Sequence, residues 1–254
     1  MFRHIASLLI IVSLFMSYAR AEFVDVVAKI KPSVVGIGIH TPTSRPQNIL
    51  RGTGFVIGDG RYIVTNDHVL PTLLNKNLLQ KIVVFIGTGR DAKVREAEIV
   101  ATSSLYDLAI LKIFGAALPA MTLASSELYA DGSSVAFTGF PMGGVLGLYP
   151  VTHRGIIASI TPTVIPAVSA EQINLKMLKR MQNPYLVYQL DATAYPGNSG
   201  SAMYDMKTGK VVGIINKVFV QATKETVISN PSGITYAIPV KYLHQVLQDN
   251  NIKL

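Results

Sequence analysis

The chain has 254 residues, 49% of them hydrophobic, with no cysteine and a formal net charge of +8. That length is enough for one large or two small hydrophobic cores, and the missing cysteine excludes a disulfide framework and thiolate chemistry. The basic residues are scattered rather than clustered, which argues against a nucleic-acid footprint and suits solubility or contact with acidic surfaces.

The N-terminus reads as an export signal. Arg3 and His4 give a basic start, Ile5 to Met16 a nearly continuous apolar run, and Ala19-Arg20-Ala21 a small-x-small cleavage site. The run falls short of the roughly 20 residues that cross a bilayer; left uncleaved, it would serve as an N-terminal anchor. Removal after Ala21 leaves 233 residues with 21 basic and 15 acidic side chains, a net charge of +6. No later run is apolar enough for a membrane span, so no stable span is expected once the signal is gone.

Phe23, Val26, Val27 and Ile30 then recur at helical spacing, and Pro32 ends that helix. The following chain is a series of short β-branched runs separated by Gly, Pro, Asn and Asp. They are Val34–Ile39, Gly54–Ile57, Tyr62–Thr65, Ile82–Ile86, Ala109–Ile113 and Ser134–Thr138, then Gly155–Ile160, Leu186–Leu190, Val211–Ile215 and Ile234–Ile238. Many short strands at close spacing predict an all-β fold, a sandwich or a pair of barrels. A boundary between two halves falls near Pro119 to Asp131. Val240 to Gln248 predicts a closing amphipathic helix with Val240, Leu243, Val246 and Leu247 on one face. Gly87-Thr88-Gly89-Arg90 lacks the full phosphate-loop pattern and reads as a hairpin turn. Thr41–Asn48 is polar and Pro-rich, hence exposed. Thr161–Asn183 mixes Leu, Ile and Met with Lys176, Lys179 and Arg180. It reads either as a basic helix over a cleft or oligomer face, or as a surface insertion packed on a barrel.

Three segments carry chemistry. In Asp191-Ala192-Thr193-Ala194-Tyr195-Pro196-Gly197-Asn198-Ser199-Gly200-Ser201, a hydroxyl sits between glycines after a proline. Such a loop presents Ser199 with its own N–H and that of Gly197, as acyl transfer needs, although Gly-Asn-Ser-Gly alone is also an ordinary turn. In Tyr62–Leu70 a β-branched run ends in a polar step carrying His68. In Tyr106–Ile113, Asp107 precedes a strand-like run. The chain order His68, Asp107, Ser199 is that of the chymotrypsin-type triad, not of the subtilisin or α/β-hydrolase types. Separations of 39 and 92 residues mean that only the fold can bring them together.

These segments, with Gly52-Thr53-Gly54-Phe55-Val56-Ile57, Gly139-Phe140-Pro141 and Thr235-Tyr236-Ala237-Ile238-Pro239, resemble the trypsin-like serine proteases of the HtrA/DegP type and their glutamyl-endopeptidase relatives. The resemblance runs from about residue 23 to 248. It implies two six-stranded antiparallel β-barrels with the active site in the cleft between them, flanked by the N-terminal and C-terminal helices. The expected division is a signal peptide over 1–21 and a protease domain over 22–254, with barrel 1 at about 32–118, barrel 2 at about 131–239 and the helix at 240–248.

The resemblance also implies roles. His68 takes the Ser199 proton and returns it to the leaving amine, Asp107 orients and stabilises the imidazole, and the Gly197–Asn198–Ser199 turn supplies an oxyanion hole through the N–H groups of Gly197 and Ser199. Thr193 falls at the base of the specificity pocket, and Ile214, Ile215, Asn216 and Lys217 along its wall. Glutamyl endopeptidases carry a histidine where Ile215 stands, and no aspartate marks the base. Cleavage after small or medium apolar residues is therefore expected. Digestive trypsin relatives have aspartate at Asn198, which pairs with a newly cut N-terminus; asparagine rules out that activation. Gly139–Gly147, with four glycines, is a candidate for the loop mobility of HtrA-type relatives. Ser201 departs from the glycine usual there, and with the sequence ending at Leu254 the PDZ domain of that family is not expected.

No cofactor or metal is expected, since His40, His153 and His244 show no ligand spacing and His153 reads as structural, ahead of a strand. Polypeptides are the expected partners, in the periplasm or outside the cell, with oligomerisation left open. The alternative is a catalytically silent protease fold that binds unfolded or partner polypeptide.

Overall fold

The computed structural model describes residues 23–142, 147–163, 184–216 and 234–254. Helix α1 covers residues 23–30. Six strands follow: β1 (Val34–His40), β2 (Asn48–Ile57), β3 (Tyr62–Thr65), β4 (Lys81–Ile86), β5 (Lys93–Ser103) and β6 (Leu108–Ile113). They close into an antiparallel barrel in the order β1-β2-β3-β6-β5-β4. A second set comprises β7 (Ser134–Gly139), β8 (Val151–Pro162), β9 (Leu186–Asp191), β10 (Ala202–Asp205), β11 (Val211–Asn216) and β12 (Ile234–Pro239). It closes in the order β10-β11-β12-β9-β8-β7, the same order of connection repeated. Helix α2 (Val240–Asp249) ends the fold and buries Val240, Leu243, Val246 and Leu247, the four residues expected on its apolar face.

Ten strands lie where the β-branched runs predict them. The two that no such run marks have physical reasons for it. β5 (KVREAEIVATS) buries only Ala97 and Ala101 and turns charged or apolar side chains to solvent on both faces, so no alternation marks it. β10 is four residues without a β-branched side chain. His153 lies within β8 rather than ahead of it.

Both faces of several strands are covered, which explains their continuous apolar runs. In β6, Ala109, Leu111 and Ile113 fill the interior of the first barrel. The alternate residues Leu108 and Ile110 point the other way, into a core that runs through the barrel interface, the second barrel and α2. Burying each of these large side chains contributes roughly 1.5–3 kcal/mol. The connection between the barrels is tied to both: the Met121 N–H donates to Val56 O at 2.8 Å, and the Val211 N–H donates to Thr122 O at 2.9 Å. Two six-stranded barrels packed on a shared core leave a cleft where the loops of each can meet.

Among the described residues no helix is long and apolar enough to cross a membrane. The segment 1–22, which holds the expected signal, lies outside them, as do residues 143–146, 164–183 and 217–233. These include part of the glycine-rich segment, most of Thr161–Asn183, and Lys217.

Candidate active site

His68 sits on a single 3-10 turn, Asp67–Val69, just after β3. Val69 and Leu70 are buried beneath it, and Arg51 Nε holds the end of the turn by donating to Val69 O at 2.7 Å. Asp107 ends the turn before β6, which pairs in register with β3. The β3–β6 ladder therefore brings together two residues 39 apart in sequence.

Asp107 is 3% exposed and collects hydrogen bonds from every side. One carboxylate oxygen accepts the His68 backbone N–H at 3.0 Å. The other accepts from His68 Nδ1 at 2.7 Å and from Asn216 Nδ2 at 2.9 Å. The Asp107 carbonyl accepts from the Asp67 N–H at 3.2 Å and from Asn66 Nδ2 at 3.0 Å. Its φ of +54° is a conformation that non-glycine residues rarely adopt, and these five bonds hold it there. A carboxylate only accepts, so Nδ1 of His68 carries the proton and Nε2 is left as an acceptor. Next to Asp107, Tyr106 stacks on Tyr242 of α2 at 4.6 Å and meets Tyr185 edge-on at 5.2 Å. Each such pair contributes roughly 0.5–1.5 kcal/mol beyond its buried area and locks this corner of the first barrel to the second.

The segment 192–201 belongs to the second barrel but is pinned from both sides. Thr235 Oγ1 donates to Ala192 O at 2.7 Å and accepts the Ala194 N–H at 2.9 Å. Ser199 O accepts the Thr53 N–H of β2 at 2.9 Å, and the Gly200 N–H donates to Ile215 O at 3.0 Å. Gly197 and Gly200 have φ of +101° and +87°. A Cβ at Gly197 would strike Phe140 O, and one at Gly200 would strike Thr53 O. Only glycine fits either position.

The peptide groups of this loop have a definite sense. Pro196 O accepts the Met142 N–H at 2.6 Å, and Asn198 O accepts the Ser201 N–H at 3.0 Å. In a planar trans peptide the N–H points opposite to the C=O. The N–H groups of Gly197 and Ser199 are therefore turned away from these contacts, and among the described residues neither has an acceptor. Two free N–H groups flanking a hydroxyl are the donor set that a tetrahedral oxyanion requires. Ser199 is 7% exposed and the His68 side chain 35%; no hydrogen bond joins them among the described residues.

The residues expected at the specificity pocket lie on two adjoining elements, the nucleophile segment and β11, which are joined by the Gly200 N–H to Ile215 O and the Ile215 N–H to Ser201 O. Thr193 is partly exposed on the nucleophile segment. Ile214 and Ile215 are fully buried in the shared core, and the Asn216 side chain donates to Asp107. β11 buries all six of its residues, and its terminal asparagine reaches the cleft floor. Asn216 as a partner of Asp107, Asn66 beneath it and Thr53 under the nucleophile loop are unassigned by sequence reasoning. Each is a polar residue next to an apolar strand run, and nothing else in the sequence marks them. Among the described residues no cluster of three or more His, Asp or Glu could hold a metal ion.

Residues 52–214 match the family described as "Trypsin-like peptidase domain". A protein of Halomonas elongata named "Probable periplasmic serine endoprotease DegP-like" is 31% identical over 189 residues, covering 74% of this chain and 32% of its own length. One of the same name from Chlamydia trachomatis is 28% identical over 223 residues, covering 85% and 38%. The chain thus spans about a third of the length of these curated relatives. Among solved structures, "HtrA-type protease AlgW with tripeptide" is 27% identical, with a TM-score of 0.65, over 91% of this chain and 64% of that one. The active form of a protease from M. tuberculosis superposes with a TM-score of 0.65 at 23% identity, covering 90% and 85%.

Proposed function

Because the chain belongs to the trypsin-like peptidase domain family, we propose that it is an exported serine endopeptidase that cleaves polypeptides through an acyl-enzyme. Ser199 attacks the scissile carbonyl, His68 Nε2 takes the hydroxyl proton, and the Gly197 and Ser199 N–H groups receive the oxyanion. The same imidazole then protonates the leaving amine, and water resolves the ester by the reverse steps. Asp107 holds the imidazole tautomer throughout. The observation that carries this reading is the 2.7 Å bond between His68 Nδ1 and the buried Asp107 carboxylate, which leaves Nε2 of a partly exposed imidazole to act as a base.

The names of the relatives supply the periplasmic location and the HtrA/DegP type, and an N-terminal signal over residues 1–21 would deliver the chain there. Thr193 rather than an aspartate at the expected pocket base favours small or medium apolar residues before the cut bond. The second reading, a silent module that holds polypeptide, is favoured by the missing Ser199–His68 hydrogen bond. Incubation with unfolded casein and sequencing of the new termini separates the two. The expected result is cleavage after residues such as Ala or Val, absent in Ser199→Ala. Stoichiometric binding without cleavage would leave only the silent module, and a profile led by Glu or Arg would overturn the specificity.

A further inference from the structure

One fully buried hydroxyl near the nucleophile has no part in the chemistry above. Thr53 lies in β2 of the first barrel, across the cleft from the second-barrel loop that it touches. Its Oγ1 donates to Gly197 O at 2.7 Å and accepts the Phe140 N–H at 3.0 Å. Its N–H donates to Ser199 O at 2.9 Å, and its carbonyl accepts Thr65 Oγ1 at 2.7 Å, three residues before His68.

We propose that Thr53 is a positioning residue that sets the orientation of the oxyanion-hole peptides from the first barrel. The inference rests on the acyl-transfer reading. Gly197 has no side chain to resist rotation of its peptides, so hydrogen bonds to its neighbours must do so. Thr53 Oγ1 holds the Gly197 carbonyl directly. Through the Phe140 N–H it also anchors the segment whose Met142 N–H holds the Pro196 carbonyl. One hydroxyl thus ties down the peptides on both sides of Gly197, including the one whose N–H would bind the oxyanion. The other buried polar side chains at this spot do not contribute to that anchoring, because Asn198 and Ser201 have side-chain atoms with no partner among the described residues. Gly139 keeps the junction open, since a Cβ there would meet Ser201 Oγ, and Thr53 Oγ1 at 2.9 Å.

The test compares Thr53→Val, which keeps the shape without the hydroxyl, with Thr53→Ser, which keeps the hydroxyl. The readouts are the second-order rate of Ser199 labelling by a fluorophosphonate, and kcat and KM on fluorescent casein. In Thr53→Val the labelling rate and kcat should fall by about 10- to 100-fold, somewhat less than for loss of an oxyanion donor itself. KM and the shape of the pH profile should not move, and Thr53→Ser should recover to within about threefold of wild type. If Thr53→Val does not fold, Thr53→Cys, a weak donor of similar size, takes its place with the same expected order. Equal rates in wild type and the hydroxyl-free variant overturn the inference. So does Thr53→Ser being as slow as Thr53→Val, which would assign the effect to the methyl group. A folded wild type that labels nowhere overturns the acyl-transfer reading, and this inference with it.

Discussion

The two ends of the candidate triad are built differently. At one end Asp107 is buried, receives five hydrogen bonds and lies on a strand pair that also carries His68. Every one of those contacts except Asn216 comes from the first barrel, and the aromatic cluster at Tyr106 fixes its edge. At the other end Ser199 rides on a glycine-rich loop of the second barrel, with no bond to His68 among the described residues. That loop is shaped by Thr53 from across the cleft and by Met142 beside it. The base and its orienting carboxylate are thus a rigid unit of one barrel. The nucleophile is placed by the way two barrels meet, so substitutions at the two ends should fail in different ways.

The largest effect is expected at the rigid end. Asp107→Asn would present an amide where both His68 Nδ1 and Asn216 Nδ2 donate, favouring the wrong tautomer. A loss of about 10⁴-fold in kcat on casein is expected, with a well-folded protein by circular dichroism. An activity within tenfold of wild type would mean that the carboxylate is structural only.

Gly200→Ala attacks the other end. A side chain at φ +87° that also strikes Thr53 O should cost at least about 2 kcal/mol in a urea titration and abolish fluorophosphonate labelling. His68–Asp107 should survive, visible as an unchanged low-field imidazole proton by NMR. Loss of that signal along with labelling would break the distinction between the two ends.

Asn216→Ala removes one neutral donor to the Asp107 carboxylate. Such a bond contributes roughly 1.5–3 kcal/mol, and a fall of about tenfold in kcat/KM is expected with little change in which residues are cleaved. A changed cleavage profile would return Asn216 to the pocket wall.

The smallest effect concerns His153, which packs on Phe137 at 4.9 Å and lies 6.1 Å from Tyr195 before the nucleophile. Burial pushes its imidazole below the ordinary value, and its Nε2 is buried without a partner among the described residues. The unfolded chain therefore binds the proton first as pH falls. Stability is full above the ordinary value of about 6.5 and declines as pH drops from there through the lowered folded value. Melting temperatures should show this slope in wild type, and His153→Phe should flatten it. An equal slope in both would assign the acid limb to other groups.

The barrel strands are legible in the sequence because burial on both faces forces runs such as Leu108–Leu111 to be continuously apolar. Strand β5 is not, because its buried positions are alanines and its other positions mix charged, polar and apolar side chains on both faces. The chain order of His68, Asp107 and Ser199 is readable because each sits at a polar break beside an apolar run or a glycine turn. The residues that orient them are not, because their roles depend on contacts across the fold. Asn216 reaches Asp107 over 109 positions of sequence, and Thr53 reaches Gly197 over 144. Spacing along the chain carries no trace of such pairs. The pocket is the part least readable, since the side chains of the two isoleucines expected along its wall are buried in the core and mark the strand rather than the cut residue.

An assembled, activated Ser199 is tested most directly by treating the full chain with a fluorophosphonate and mapping the adduct by mass spectrometry. A single adduct on Ser199 is expected, lost in His68→Ala as well as in Ser199→Ala. An adduct on Ser199 that survives in His68→Ala would show that the imidazole does not activate the hydroxyl. No adduct on a folded protein, even with unfolded peptide added, would show that no working nucleophile is present.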